Sequence, residues 1–357
     1  MITYIYSLAT DKKKGSAAGA IKCFLYFFSL IYCLVVGVLI FIYRIKPCRL
    51  GCKVISVGNI TLGGTGKTSL VLLIARYLKQ NGHKVAILTR GYKRRNISRV
   101  LQGDGYESMG DEPYMLKMNL KDVPVIVDSD RIRAAKSAIQ DYGVDTVILD
   151  DGMQQWRIKK DLEIVSIDSV LPFGNRHLIP RGILREPLSS LKRADVFILT
   201  KTNLSPDVQS IKNFLGRINP RGLIAESVHN PVAFYKIDRT DETVDINTFK
   251  GKYVALFSGI GEPGSFEDLI NRLGIKAGMS FRFADHHNYT REDLDKIAKS
   301  SYNKGIDIII TTEKDAVRLN SRYLPHYNLQ FYYLRIELKI KENEQEFHNR
   351  LLGLYSY

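Results

Sequence analysis

The chain has 357 residues, 45% hydrophobic and 25% charged, which excludes a disordered or fibrous polypeptide and allows one large α/β domain or two smaller ones. Against 37 Asp and Glu stand 52 Lys and Arg, a formal net charge of +15 that asks for an anionic partner or surface. The four cysteines, Cys23, Cys33, Cys48 and Cys52, all lie near the N-terminus, so the rest of the chain carries no sign of an oxidising compartment.

The first element is a membrane anchor. Cys23–Tyr43 contains no charged side chain and is flanked by Lys22 and Arg44. As a helix the run is about 32 Å long, enough to cross a hydrocarbon core. No small-residue cleavage site follows it, which argues against a signal peptide. Apolar residues on every face argue against a core helix. Lys12, Lys13 and Lys14 precede the run and Arg44, Lys46, Arg49 and Lys53 follow, so spanning the bilayer and lying in one leaflet both remain open. Cys48-x-x-x-Cys52 has no second ligand pair beside it and reads as free thiols.

The body begins with a β-branched strand at Ile55–Val57 that breaks into Thr61-Leu62-Gly63-Gly64-Thr65-Gly66-Lys67-Thr68. Leu70, Leu73, Ile74, Tyr77 and Leu78 then fall at helical spacing, and Asn81-Gly82 stops the helix. Strand, glycine loop and helix in that order form a P-loop, although its usual first glycine is Thr61. Its backbone N–H groups and the helix N-terminus suit a polyphosphate. Lys67 would reach the β- and γ-phosphates of ATP, and Thr68 would face Mg²⁺.

Strands follow at Val85–Thr89, Val123–Val127, Thr146–Asp150, Leu162–Ile167, Val196–Thr200 and Leu223–Glu226, with a helix over Arg131–Tyr142. Alternation with helices predicts a doubly wound parallel sheet. A basic loop, Arg90–Arg95, and a polar stretch, Gly103–Gly110, interrupt the series. Pro231 and Asp238–Asn247 suggest a boundary. Beyond it a strand at Tyr253–Ser258, a helix near Phe266–Leu273, a Thr290-x-x-Asp293 cap and a strand at Ile306–Thr311 predict a smaller α/β unit. The expected division is an anchor over 1–50, a P-loop domain over 51–235 and a C-terminal domain over 236–357.

Asp150 and Asp151 tip a hydrophobic strand, the Walker B arrangement that holds Mg²⁺ directly or through water. Thr200-Lys201-Thr202-Asn203 is near the guanine-reading [NT]-K-x-D pattern, but Asn203 replaces its carboxylate, which favours ATP over GTP. Asp285-His286-His287 alone reads as a polar turn, and Thr311-Thr312-Glu313-Lys314-Asp315 as a helix cap. No RNA or DNA motif is present, so the basic surplus is assigned to membrane and phosphate contacts rather than to nucleic acid.

Taken together, these blocks resemble the tetraacyldisaccharide 4′-kinases, the lipid A 4′-kinases. The matching segments are Val57–Thr68, Arg90-Gly91-Tyr92, Gly110-Asp111-Glu112-Pro113, Asp150–Gln154, Gly174-Asn175, Pro180–Pro187, Phe283–Tyr289 and Thr311–Ala316. Ser69, Gln155 and Ile183 depart from residues common in the family. The resemblance implies a P-loop kinase anchored at the inner membrane, with its catalytic body on the cytoplasmic face. It would move the γ-phosphate of ATP to the 4′-hydroxyl of a tetraacyldisaccharide 1-phosphate, giving lipid IVA in lipid A biosynthesis. The family's Asp-His base maps onto Asp111 and His286. Lys67 and Asp151 join them as catalytic residues, Thr68, Asp150 and Asp151 as metal ligands, and Asn175, Arg185 and Glu186 as candidate contacts to the lipid. The alternatives are a membrane-associated regulatory P-loop ATPase, whose defining first lysine is Leu62 here, and a nucleotide-binding scaffold without turnover.

Overall fold

The computed structural model describes residues 7–11, 13, 15–91, 109–239, 242–319 and 321–356, the side chains of residues 321, 322 and 325 excepted. Tyr92, Lys93, Arg94, Arg95 and residues 103–108 of the polar stretch lie outside the described residues.

Helix α1, Ser16–Ile45, has 30 residues and a mean hydropathy of 2.7 across its most apolar stretch. It is about 45 Å long, and among the described residues it alone is long and apolar enough to cross a membrane. Phe24, Phe27, Leu34, Phe41 and Ile45 are exposed. A single stripe touches the body. Ser29 Oγ donates to the Leu178 carbonyl at 2.8 Å and Tyr32 Oη to the Arg185 carbonyl at 3.0 Å. Tyr26 packs edge-on against His177, and the Arg157 guanidinium lies over the Tyr43 ring. Tyr26, Ser29 and Tyr32 are three residues apart and Tyr43 follows eleven residues, about three turns, later, which keeps all four on one side of the helix.

The body is built on one twelve-stranded sheet. In chain order its strands are β1 Lys53–Gly58, β2 Val85–Thr89, β3 Val125–Val127, β4 Thr146–Asp150, β5 Leu162–Asp168, β6 Val196–Thr200, β7 Leu223–Lys236, β8 Thr243–Asp245, β9 Tyr253–Ser258, β10 Lys276–Arg282, β11 Ile308–Thr312 and β12 Gln330–Glu342. Across the sheet they run β10-β9-β11-β12-β7-β6-β5-β1-β4-β2-β3, with β8 beside β7. The first half is parallel throughout. Its central strands β1, β2, β4 and β6 are buried almost without a break, because helices cover both faces.

The helices are α2 Lys67–Gln80, α3 Asp111–Asn119, α4 Arg131–Tyr142, α5 Val208–Ile218, α6 Pro263–Arg272, α7 Arg291–Asn303, α8 Glu313–Ala316 and α9 Glu344–Leu352. Thr290 and Asp293 form the expected capping box on α7. Asp130 caps α4, which ends at Gly143 in the left-handed region.

Pro231, expected to mark a boundary together with Asp238–Asn247, lies instead in the middle of β7. This strand pairs with β6 at its start and then antiparallel with β12, from Glu226↔Glu342 to Lys236↔Tyr332. Pro231 sits opposite Ile336, where the register slips by one residue. A bulge is where a strand tolerates a residue without an N–H. The two halves of the sheet are therefore joined by paired strands. The chain also returns. Phe347 and Leu351 of α9 are buried in the same core as Leu70, Ile74 and Leu78 of α2. The tail of the 236–357 segment thus packs with the P-loop half.

Candidate active site

The β1–β4 register pairs Val57 with Asp150, which brings the ends of the two motif strands side by side. The loop after β4 closes tightly on β1: a Cβ on Gly58 would lie 2.5 Å from the Met153 backbone nitrogen, so only glycine fits. Gly66, the residue before α2, has φ 79°, a left-handed conformation that glycine adopts without strain. Lys67 Nζ donates to Asn59 Oδ1 at 2.9 Å and stands 3.6 Å from Asp151 Oδ1. Thr200 Oγ1 donates to the Thr65 carbonyl at 3.2 Å, and Lys201 pairs with Asp168 at 2.5 Å. The Thr200–Asn203 motif is thus seated against the phosphate loop.

Asp150 is 4% exposed and accepts from Thr89 Oγ1 at 3.1 Å. Burial, with the neighbouring carboxylates Glu112 and Asp151 adding to it, pushes its acid up to about 6. Asp151 differs. It too is desolvated, but the Arg185 guanidinium, which bonds both its oxygens at 2.7 and 3.1 Å, and the Lys67 charge hold it below the usual carboxylate range. Thr68, Asp150 and Asp151 offer hard oxygen donors, the set Mg²⁺ prefers. Among the described residues no three His, Cys, Asp or Glu side chains form a metal cage. A Mg²⁺ that shares phosphate oxygens and water needs none.

Of the three candidate lipid contacts, only Arg185 faces this site. Its chain segment pairs with the start of the phosphate loop: Leu62 N donates to the Ile183 carbonyl and Arg185 N to that of Ile60, each at 2.7 Å. Glu186 corrects the expectation. It is fully buried, and Gln154, Trp156 and Arg193 donate to its carboxylate at 3.0, 3.1 and 2.7 Å. Asn175 is turned onto its own loop, accepting from His177 N and donating to the Arg181 carbonyl. Replacing Glu186 by alanine takes the nearer carboxylate from Arg193, which keeps Glu163 at 3.7 Å, and leaves Gln154 and Trp156 without their acceptor, and is expected to cost roughly 3 kcal/mol. A denaturant titration that leaves the unfolding midpoint of the variant unchanged would contradict this.

Asp111 opens α3, and His286 lies in the loop after β10 with φ 62°, a strained value for a residue with a Cβ. The two meet, His286 Nδ1 standing 2.8 Å from Asp111 Oδ2. Arg318 Nε donates to the same oxygen at 2.6 Å. Burial alone would raise the Asp111 acid, yet the His286 hydrogen bond and the Arg318 charge hold it below the usual carboxylate range. Glu112, next in the chain, pairs with Lys314 at 2.8 Å, and its charge acts on Asp150 as that of Lys67 acts on it. Glu112, the neighbour of Asp111, is thus the charged link between the Asp111–His286 pair and the Lys67–Asp150 site. His287, the other member of the His-His pair, bonds Asp293 at 2.9 Å and serves the α7 cap.

A sequence profile of the tetraacyldisaccharide-1-P 4′-kinase family matches residues 21–355. The chain belongs to that family. The tetraacyldisaccharide 4′-kinase of Halothermothrix orenii is 37% identical over 83% of each chain. That of Elusimicrobium minutum is 39% identical over 84% of this chain and 82% of its own. The "apo" form of LpxK from Aquifex aeolicus, solved in complex with ATP, superposes with a TM-score of 0.78 at 28% identity, over 94% of this chain and 100% of that one.

Two residues at the candidate site were given no role by the motifs, although Asn59 lies within the Val57–Thr68 block. Asn59 takes a hydrogen bond from Lys67 and, at 3.3 Å, one from Arg185, so it joins the two cations of the phosphate site. Its place just ahead of the loop could have pointed to it. Arg318 follows the Thr311–Ala316 block and carries no local signal.

Proposed function

We propose that the chain transfers the γ-phosphoryl group of ATP to the 4′-hydroxyl of a tetraacyldisaccharide 1-phosphate at the cytoplasmic face of the inner membrane, as a step in lipid A biosynthesis. The observation that carries the mechanism is the Asp111–His286 hydrogen bond, which joins residues 175 positions apart in the chain.

In this reading the loop Thr61–Thr68 wraps the phosphates, and Lys67 leaves Asn59 and Asp151 for the β- and γ-oxygens. Thr68, Asp150 and Asp151 would hold Mg²⁺, which would supply charge neutralisation to the transferring group. Arg185, released in part from Asp151, offers a second cation there. Asp111 accepts the proton of the attacking hydroxyl, and the ring of His286 orients the carboxylate and shares that proton. Positioning and charge neutralisation supply most of the acceleration expected for phosphoryl transfer.

The anchor supports a lipid acceptor. Contacts from Tyr26 to Tyr43 bind α1 along the body, which leaves its apolar faces to lie in one leaflet with the basic body at the headgroups. Deleting residues 1–44 is expected to release the body from membranes and to lower turnover of lipid presented in micelles. A truncated protein that still sediments with vesicles in high salt places the anchor elsewhere.

The full-length protein, given ATP, Mg²⁺ and the lipid disaccharide in mixed micelles, should yield a product with one added phosphate by mass spectrometry. ATP turnover that ignores the lipid favours a regulatory ATPase instead, and ATP binding without turnover a scaffold.

A further inference from the structure

We propose that Arg318 is a positioning residue for the proton acceptor, holding Asp111 and His286 together and supplying the positive charge that faces Asp111. This rests on the reading of Asp111 and His286 as the base.

Arg318 is 5% exposed, and each nitrogen of its fork has a partner. Nε donates to Asp111 Oδ2 at 2.6 Å, and Nη1 to the Gly259 carbonyl at 3.0 Å and to Asp315 Oδ1 at 3.1 Å. Nη2 faces His286 Nδ1 at 3.3 Å. Asp315 is itself fully buried and receives Gly259 N, Tyr289 Oη and Thr312 Oγ1 at 3.0, 2.9 and 2.6 Å. The guanidinium is therefore clamped from behind and cannot swing away from Asp111.

Two consequences follow from that geometry. Among the described residues, the donors from Arg318 and His286 converge on Oδ2 of Asp111, which leaves Oδ1 as the oxygen to meet the incoming hydroxyl. Arg318 can also follow the proton. While Nδ1 of His286 carries hydrogen, that hydrogen goes to Oδ2. If the ring gives it up, Nη2 is already in place to donate to the bare nitrogen.

The charges around Asp111 single out Arg318. From α3 and α8, Glu112 and Lys314 face each other as a pair, and the charge of Lys67 also acts on Glu112. From the His286 loop, Asp285 stands 3.9 Å from the far ring nitrogen, Nε2. Asp315 lies on the other side of the guanidinium. Asp315, fully buried, and Asp111, half-buried, thus share one fixed cation. An opposite charge at this range lowers a carboxyl by about 1–3 pH units. A base works only when ionised, so activity falls as pH drops through its pKa. Removing the cation raises that pKa and moves the acid limb to higher pH.

The test uses the full chain in micelles with Arg318→Gln, Arg318→Lys and Asp111→Asn. It measures melting temperature, KM for ATP, kcat, and the pH dependence of kcat/KM. In Arg318→Gln the acid limb should rise by at least about one pH unit with the KM for ATP within about twofold of wild type. Arg318→Lys keeps the charge but not the fork, so its limb should stay near wild type while kcat falls. Asp111→Asn should lose the limb. An Arg318→Gln limb that coincides with wild type, whatever the melting temperature, overturns the inference while the base reading stands. An acid limb that persists in Asp111→Asn overturns the base reading itself, and this inference with it.

Discussion

Lys67→Ala is expected to lower kcat at least about a hundredfold, a loss of roughly 2.7 kcal/mol of transition-state stabilisation. Phosphoryl transfer spreads negative charge over the oxygens that move, and Lys67 is the cation that the phosphate loop itself contributes. The substitution should barely disturb the fold. Lys67 touches Asn59 and Asp151, and both keep a second partner in Arg185. A kinetic defect can therefore be read without a large correction for unfolded protein, provided the melting temperature is measured alongside. A variant that keeps more than about a tenth of wild-type kcat, a change below roughly 1.4 kcal/mol, removes Lys67 from the transition state and undermines the phosphate-loop assignment.

The phosphate loop and the Asp150–Asp151 strand end were legible because their signals are local: a buried strand, glycines with positive φ, and a helix start within a dozen residues. The sheet beyond β7 was less legible, for identifiable reasons. β10, Lys276–Arg282, is an edge strand with mostly exposed or half-buried residues and a glycine in its middle, so no apolar run marks it. Pro231 signals a break by composition, and only the pairing of β7 with β12 reveals the bulge that absorbs it. Glu186 shows the opposite failure. A charged residue in a motif reads as a contact to substrate, yet it is buried under three donors, two of them about 30 positions earlier in the chain. Arg318 meets Asp111 across 207 positions, a juxtaposition that local pattern cannot contain.

The Asp111–His286 pair makes the most discriminating prediction. Asp111→Asn and His286→Ala should each lower kcat by about 10²–10⁴, the usual worth of general-base assistance, with ATP affinity nearly intact. Neither residue belongs to the phosphate loop, and a charged link between them and it runs through Glu112, on which both His286 and Lys67 act. Asparagine keeps the shape of Asp111 and an acceptor oxygen, so Arg318 and His286 retain a partner and the variant should fold. The competing account gives Asp111 a structural task only, since it opens α3 and ties that helix to Arg318. On that account both variants would melt earlier while kcat per folded molecule stayed at the wild-type value. The double variant separates one base from two independent contributions. Groups that act as a unit are non-additive, so once Asp111 is gone the loss of His286 should cost little more. Measuring kcat, ATP Kd and melting temperature for both singles and the double decides between them. If the rate losses simply multiply in the double, Asp111 and His286 do not act as one base, even with each single variant slow.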